Sequence, residues 1–349
     1  MGLSPFDHPW LSGLFGDDSM VVLWSADRTL EHMRAFESAW SRALGIAGMC
    51  DAAEAEAASV AIESAIINID KLRLGTARDG VPIPNLIQQL KAATASQCVH
   101  TGATSQDVID TSLALVLRDT SDLIASRLTE LIGLLDSLEV RFGDAFLMGR
   151  TRMQAATPIT VRDRLETWRL PLQSHMKRLE QLRPCNERVQ IGGASGDRAV
   201  LGDHAEAVVA SVAQALGLAP SPRSWHSMRE SVADYASFLS LVSGTLGKIG
   251  QDVALMSQQG IEEIALSGGG RSSAMAHKQN PVLAELLITL ARFNAVQVGG
   301  MHQAMVHEQE RSGSAWSLEW MILPQMAVAT GRALRTAGEI FRSVDRIGA

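Results

Sequence analysis

Three stretches of this chain concentrate side chains that could bind and protonate a carboxylate. The stretch 267–285 reads SGGGRSSAMAHKQNPVLAE and joins hydroxyl, imidazole and ammonium groups to a run of glycines. Because glycine accepts backbone angles that other residues avoid, the first half is expected to be a mobile or sharply turned loop with the composition of a lid. Asn280 and Pro281 favour a helix start, and a helix N-terminus favours a bound anion. An ordinary connection between two helices is the alternative.

The other two stretches are HTGATSQDVIDT at 100–111 and GRTRMQAATPIT at 149–160. In the first, either Thr104 or Asp107 could cap a following helix, so a purely structural capping loop is the alternative to a binding site. In the second, Arg152 could hold a carboxylate through two parallel hydrogen bonds, or it could be a solvated surface charge.

Long helices are expected to position these stretches. From Ile124 the apolar residues recur at intervals of four and three through Leu128, Leu131, Leu135, Leu138 and Phe142, which predicts a helix-bundle seam. A second long helix is predicted for about 231–266, with a stripe of small residues that includes Gly247. A third is predicted for 281 to about 311, with a kink at Gly299 and Gly300. No segment shows convincing strand alternation, so the fold is expected to be all-α.

Composition excludes several classes of protein. Apolar residues make up 46% and charged residues 20%, and the formal net charge is −7, which leaves no basic footprint for nucleic acid. Charges or glycines interrupt each apolar run, so we expect no membrane span. The sequence MGLSPFDHPW lacks the features of a secretory signal, and the three cysteines are odd in number and far apart. Both observations favour the cytoplasm.

The three stretches together resemble the signature regions of the fumarase/aspartase superfamily. GRSSAMAHKQNP matches the loop pattern G-S-S-x-M-P-x-K-x-N-P, although Ala276 replaces the usual proline. Thr104 to Asp107 match T-S-x-D, and GRTRMQAATPIT matches G-R-T-H-x-Q-x-A-x-P-x-T. The resemblance implies an all-α fold with a long central helical bundle and a small N-terminal helical domain.

One departure points to a branch of the superfamily. Its lyases have a histidine where this chain has Arg152. Arginine stays protonated at useful pH, so it cannot take over an acid–base role. The branch of the carboxymuconate cycloisomerases also lacks that histidine. The segments VPIPNLIQQLKA and VHEQERSGSAWSLEWMILPQM resemble that branch as well.

This branch implies an intramolecular lyase of bacterial aromatic degradation. One carboxylate of 3-carboxy-cis,cis-muconate would add to the conjugated diene, pass through an enediolate and close a lactone. The chemistry requires no metal and no organic cofactor. His302 and His307 lie five residues apart, which is poor spacing for a metal site.

The resemblance also implies the site residues. The predicted catalytic residues are Ser272, His100 and Lys278, and either Ser272 or His100 could transfer the proton. The predicted substrate-binding residues are Thr104, Ser105, Arg150, Thr151, Arg152, Gln154, Ser273, Met275 and Asn280.

Assembly and domain organisation follow from the same resemblance. A homotetramer is expected, in which each active site draws on three subunits. The expected domains are an N-terminal helical domain at 1–105 and a long-helix bundle at 106–349. A third, C-terminal domain is expected to be missing or vestigial.

Two other functions remain open at this point. An adenylosuccinate-type lyase that releases fumarate shares the first and last signature regions. A non-catalytic helical oligomer that kept the fold is an alternative of a different class.

Overall fold

The computed structural model describes residues 3–268, 270–271 and 279–348, with only the backbone of Arg271. Its first helices are α1 (Ser12–Phe15), α2 (Asp18–Leu23), α3 (Ala26–Ile46), α4 (Ala52–Ser64), α5 (Ile69–Asp79) and α6 (Ile83–Thr94). The central part comprises α7 (Ser105–Phe142), β1 (Phe146–Thr151), β2 (Gln154–Thr160), α8 (Val161–Asn186), a 3₁₀ turn (Ala199–His204), α9 (Ala205–Leu216) and α10 (Glu230–Met256). The remaining elements are β3 (Ile264–Leu266), β4 (Gly270–Arg271), β5 (Gln279–Asn280), α11 (Val282–Gln303), α12 (Ser314–Arg342) and β6 (Val344–Ile347).

Helix α7 is the longest described element, and the sequence specifies both its start and its buried face. Thr104 is the N-cap, and its N–H donates to the Asp107 carboxylate at 3.0 Å. Ile124, Leu128, Leu131, Leu135 and Leu138 are buried, which confirms the predicted seam. At 1.5 Å per residue, the 38 residues of α7 span about 57 Å. The helix therefore reaches from one end of the bundle to the other.

The helices α10 and α11 pack closely because glycines remove side chains from their contact. A Cβ on Gly250 would lie 2.6 Å from the Ala284 carbonyl oxygen, and one on Gly247 would overlap Ala291. The stripe of small residues was therefore interpreted correctly at Gly247. The predicted end of α10 was wrong, since the helix stops at Met256. Gly260 then takes a left-handed φ of 83°, and β3 follows.

The third long helix also ends earlier than predicted, at Gln303 instead of about Arg311. The helix runs on through Gly299 and Gly300, where a kink was predicted, and Gly300 lies against Ile322 of α12. Gly300 therefore allows a close helix contact. Asn280, the expected helix cap, lies in β5, and Pro281 is the N-cap.

No segment of the sequence shows convincing strand alternation, yet the described residues include six short strands beside the helices. The strands β1 and β2 form an antiparallel hairpin, β3 pairs with β6, and β4 pairs with β5. In the hairpin, β2 has no fully buried residue and β1 has one, Leu147. Without a buried face, a strand needs no alternation of apolar and polar residues, so the usual sequence signal is missing.

The buried apolar residues form two clusters. The larger cluster lies in the bundle and draws on α7, α8, α10, α11 and α12. The smaller one joins α3, α4 and α6 to the first turns of α7, to α9 and to residues 189–191. The N-terminal helices are thus anchored on the start of α7, while the domain division at residue 105 stays a prediction.

Helix α11 is unusually apolar for its exposure. Its mean hydropathy reaches 1.4 over a window that is only 28% buried, so by length and composition alone it could cross a membrane. The prediction that no apolar run reaches such a length was therefore wrong by this measure. Because α11 packs against α10 and α12, and core helices pass the same test, this is weak evidence for a membrane. Among the described residues of α11, Val296 is the one large apolar side chain that is strongly exposed.

Candidate active site

The start of α7 collects donors for an anion. Thr104 and Ser105 are half-buried at the N-terminus, where the first N–H groups of a helix have no partner within the helix. The aligned peptide dipoles add a partial positive charge at this position. The geometry therefore suits a carboxylate ligand. We use the name cap cluster for the side chains gathered here: His100, Thr104, Ser105, Gln106, Asp107, Asp110, Arg229, Arg311 and Glu319.

Asp107 fixes the backbone of the cap cluster. Its carboxylate is fully buried and accepts from the N–H groups of Gly192 and Gly193 at 2.8 and 3.0 Å. It also lies 2.9 Å from His226 Nε2 and 3.0 Å from the Thr104 nitrogen. This acidic residue therefore has an internal structural role and does not face the anion site.

A buried ion triad lies behind the first turn of α7. The Arg229 guanidinium, fully buried, donates to both carboxylate oxygens of Asp110 at 2.7 and 3.2 Å. It also donates to both oxygens of Glu319, at 2.9 and 2.5 Å. Sequence reasoning missed this triad. The three charged residues lie far apart in the chain, so no local pattern in the sequence indicates that they pair.

His100 is placed for proton transfer by a buried partner. Its Nδ1 lies 2.6 Å from Glu37 Oε1, in α3, and Glu37 is fully buried. A carboxylate only accepts hydrogen bonds, so Nδ1 carries the proton and Nε2 is the nitrogen left for other partners. Burial of the ring opposes protonation, but the charge and hydrogen bond of Glu37 outweigh it and raise the pKa of His100 above its ordinary value. The backbone of His100 also has a left-handed φ of 60°.

Arg311 was not among the predicted site residues, although it lies in a matched segment. Its Nε donates to Gln106 Oε1 at 2.9 Å, and its Nη2 lies 3.4 Å from the Ala194 carbonyl oxygen. The side chain is exposed in the loop between α11 and α12, beside the start of α7. It adds a cation to the cap cluster. The one available signal was its place in the segment VHEQERSGSAWSLEWMILPQM, which resembles the carboxymuconate branch.

The hairpin carries the second set of predicted residues at the opposite end of α7. Arg150, Thr151, Arg152 and Gln154 are exposed. Arg152 and Met153 form its turn, with left-handed φ values of 49° and 68°. Arg150 is already engaged, since its Nη1 lies 2.5 Å from Glu263 Oε1. Among the hairpin residues, Arg152 is therefore the better placed to receive an external carboxylate.

The base of the signature loop lies at the same end of the bundle as the hairpin. Asn280 pairs with Gly270 in the short sheet of β4 and β5. The neighbouring strand β3 pairs with β6, and Gly348, next to β6, would place a Cβ 2.7 Å from Ala145 beside the hairpin. We call residues 146–160, 263–268, 270 and 279–281 the hairpin end. The predicted residues Ser272, Ser273, Met275 and Lys278, together with His277, lie outside the described residues.

Within the described residues, one chain does not bring its predicted site residues together. The cap cluster lies at the start of α7 and the hairpin follows its end, about 57 Å away by the length of the helix. Arg152 and Asn280 therefore lie at one end, and His100, Thr104 and Ser105 at the other. In the described part of the chain, no group of three or more His, Cys, Asp or Glu side chains is arranged to hold a metal ion.

Comparison with known proteins identifies the family. Residues 11–300 match the family model described as Lyase. The chain is 35% identical over 340 residues to a 3-carboxy-cis,cis-muconate cycloisomerase of Pseudomonas putida, with coverage of 95% of this chain and 81% of the relative.

Solved structures agree with this match. The 3-carboxy-cis,cis-muconate lactonizing enzyme from Pseudomonas putida superposes with a TM-score of 0.90 at 36% identity, covering 97% of this chain and 77% of that one. A fumarate lyase from Mesorhizobium sp. BNC1 gives 0.88 at 31% identity, over 96% and 76% of the two chains. The chain therefore belongs to this lyase family and has the predicted all-α, fumarase/aspartase-like fold.

Proposed function

We propose that this protein is a cycloisomerase that converts 3-carboxy-cis,cis-muconate into 4-carboxymuconolactone, as part of protocatechuate degradation. The observation that carries the proposal is the similarity to the Pseudomonas putida cycloisomerase over 95% of the chain. In the reaction, a carboxylate oxygen forms a bond to a diene carbon. The π electrons move into a neighbouring carboxylate to give an enediolate, and a proton is then added to the alpha carbon. The product is an isomer of the substrate.

The charge of the substrate explains the need for two sets of donors. Three carboxylates require several cations, and burying any of them unpaired would be costly. The start of α7, with Thr104 and Ser105, is suited to one carboxylate. Arg152 is suited to another, and Lys278, Ser273, Met275, Thr151, Gln154 and Asn280 complete the proposed binding set. Preorganised donors that meet the enediolate lower the barrier, because they need no reorganisation when the charge develops.

His100 is our preferred proton donor. Its Nδ1 is held by Glu37, and the raised pKa keeps more of the imidazole protonated near neutral pH, which suits a general acid. Ser272 is the competing residue. A free serine is a poor acid or base, so it would need Lys278 or a helix terminus nearby to favour its ionised form.

The proposed catalytic unit is a homotetramer whose active sites combine segments of different subunits. The supporting observation is the length of α7, which separates the cap cluster from the hairpin end in any one chain. The exposed face of α11, which includes Val296, offers a surface for neighbouring subunits. The cytoplasm remains the proposed location, and a tricarboxylate the proposed small-molecule partner.

The direct test is a spectrophotometric assay of the purified protein. We expect 3-carboxy-cis,cis-muconate to lose its diene absorbance without release of fumarate, and succinyl adducts to release none. Fumarate release from a succinyl adduct, with no effect on the diene, would support the adenylosuccinate-type alternative. No turnover of either substrate would support the non-catalytic oligomer.

The two proton donors can be separated in the same assay. We expect His100→Asn to lower kcat by on the order of a hundredfold and to remove one limb of the pH–rate profile. We expect Ser272→Ala to leave that limb in place. The opposite pattern would assign the proton to Ser272.

A further inference from the structure

The side-chain amide of Gln106 has only one orientation that satisfies its surroundings. The residue is fully buried in the first turn of α7. One side of its amide faces Asp110 Oδ2 at 3.0 Å and the His226 carbonyl oxygen at 2.9 Å. A carbonyl oxygen accepts hydrogen bonds and cannot donate them, so Nε2 must face inward. Oε1 then faces outward, where it accepts from Arg311 Nε at 2.9 Å.

The inward acceptor is itself fixed by the ion triad. Asp110 receives two hydrogen bonds from Arg229, and Trp316 Nε1 donates to its Oδ1 at 3.1 Å. Arg229 in turn bonds both oxygens of Glu319. Asp110 therefore cannot turn away from Gln106 without leaving buried charges unpaired, which is costly. The triad fixes which face of the Gln106 amide is presented to Arg311.

Arg311 lies on the other side of Gln106 and depends on it for its direction. The side chain is exposed and comes from a loop, so without a partner it would sample many rotamers. Its Nε donates to Gln106 Oε1, and its Nη2 lies 3.4 Å from the Ala194 carbonyl oxygen. Gln106 directly follows Ser105 in the chain, so this contact anchors Arg311 next to the anion site at the start of α7.

We propose that Gln106 is a positioning residue. Because Asp110, paired with Arg229, fixes the Gln106 Nε2 inward, its Oε1 faces Arg311 and holds the guanidinium in the orientation that binds a substrate carboxylate. Gln106 itself does not touch the substrate. The inference rests on the proposed function, because it needs the start of α7 to be part of the active site.

The variant Gln106→Glu tests the proposal through pH. In its ionised form, the introduced carboxylate has nothing to donate to Asp110 and the His226 carbonyl oxygen, so its inward oxygen meets two acceptors. In its protonated form, the introduced carboxyl group can donate there while its other oxygen still accepts from Arg311. Burial next to a carboxylate raises the pKa of a glutamate, so the protonated form becomes common as the pH falls.

We therefore expect the ratio of variant to wild-type kcat/KM to rise at least about tenfold between about pH 8 and about pH 6. Using the ratio removes the titration of His100, which both proteins share. Gln106→Met cannot titrate. Its KM should be raised about tenfold or more at every pH, with kcat changed less, because a misdirected Arg311 weakens binding of the carboxylate.

The matched control is Asn294→Asp, a buried amide changed to an acid elsewhere. Asn294 Nδ2 bonds Ser243, Thr330 and the Met326 carbonyl oxygen within the bundle. We expect it to lower the melting temperature and leave the pH profile of the activity unchanged. Size-exclusion chromatography checks that all variants keep the same assembly.

The outcomes separate the inference from the proposed function. If the wild-type protein does not convert 3-carboxy-cis,cis-muconate, the proposed function fails first. If the wild type is active, a flat ratio for Gln106→Glu, or an unchanged KM for Gln106→Met in a folded protein, overturns the role of Gln106 alone.

Discussion

The two ends of α7 hold their functional residues in different ways. The cap cluster is tied by buried contacts within one chain: Asp107 holds two backbone N–H groups, Arg229 pairs two carboxylates, and Glu37 holds His100. The hairpin end has an exposed turn, and its described ion pair, Arg150–Glu263, is at the surface. One end is thus preorganised within the single chain. At the hairpin end, the predicted binding side chains of the hairpin are exposed on the single chain.

The largest expected effect is the return of activity when a defect of the cap cluster and a defect of the hairpin end lie on different chains. We expect His100→Asn and Arg152→Ala each to lower activity by on the order of a hundredfold. After the two variants are unfolded together and refolded, about a quarter of the wild-type activity should return, because some sites then combine an intact cap cluster with an intact hairpin.

The control for this experiment mixes two defects of the same end. His100→Asn and Thr104→Val should not complement, since no chain then carries an intact cap cluster. A mixture of His100→Asn and Arg152→Ala that stays as inactive as its components would show that the ends do not meet across subunits.

The next effect concerns the stability of the preorganised end. Arg229→Met leaves Asp110 and Glu319 buried without their cation, so we expect it to lower the free energy of unfolding by about 3–5 kcal/mol. Arg162→Met is the matched control, because Arg162 is half-exposed and pairs with Glu139 at the surface. It should cost less than about 1 kcal/mol. Denaturant titration measures both, and similar losses for the two variants would contradict the distinction.

Two buried histidines should give opposite pH dependence of stability. Burial lowers the pKa of His175 to about 4, so the unfolded chain takes up a proton first and stability falls as the pH drops from about 6.5 toward about 4. His175→Gln should remove a loss on the order of 3 kcal/mol in this window. The pKa of His100 is raised, so its contribution is complete below about 6.5 and disappears as the pH rises through its folded pKa.

Denaturant unfolding across this pH range checks both signs. As the pH falls, the free energy of unfolding of His175→Gln should decrease less than that of the wild type. The stability of His100→Gln should fall furthest below that of the wild type at acid pH. If both variants shifted the curve in the same direction, the assignment of the two environments would be wrong.

The smallest effect is expected at the hairpin end. Glu263→Gln removes the partner of Arg150, but the guanidinium is about one-third exposed, so the free energy of unfolding should fall by less than about 1 kcal/mol. Thermal unfolding measures this change. A loss of more than about 2 kcal/mol would mean that the hairpin end is as firmly fixed within the chain as the cap cluster.

The elements that the sequence predicts well are those whose signal is local. The seam from Ile124 to Leu138 repeats along one helix, and the pair of Thr104 and Asp107 lies within one turn. The hairpin was missed because an exposed strand shows no apolar alternation. Gly247 shows an intermediate case: its small size was interpreted correctly, but its partner Ala291 lies 44 residues further along the chain.

In the candidate site, too, the residues that were predicted have a local sequence signal. Matched motifs pointed to His100, Thr104 and Arg152, whereas the Asp110–Arg229–Glu319 triad joins residues separated by 119 and 90 positions. Only the fold brings such charges together. The position of Arg311 beside Gln106 likewise depends on a contact over 205 positions, which no spacing rule predicts.

The length of α7 has a consequence for how the protein is used. In a lone chain of this fold, the described parts of the two half-sites lie at the two ends of α7 and cannot reach one another. Turnover would then depend on how many chains meet, so specific activity should decline on dilution while the helical content stays constant. Under the proposed function, the rate of lactone formation per chain would therefore increase with the concentration of the protein.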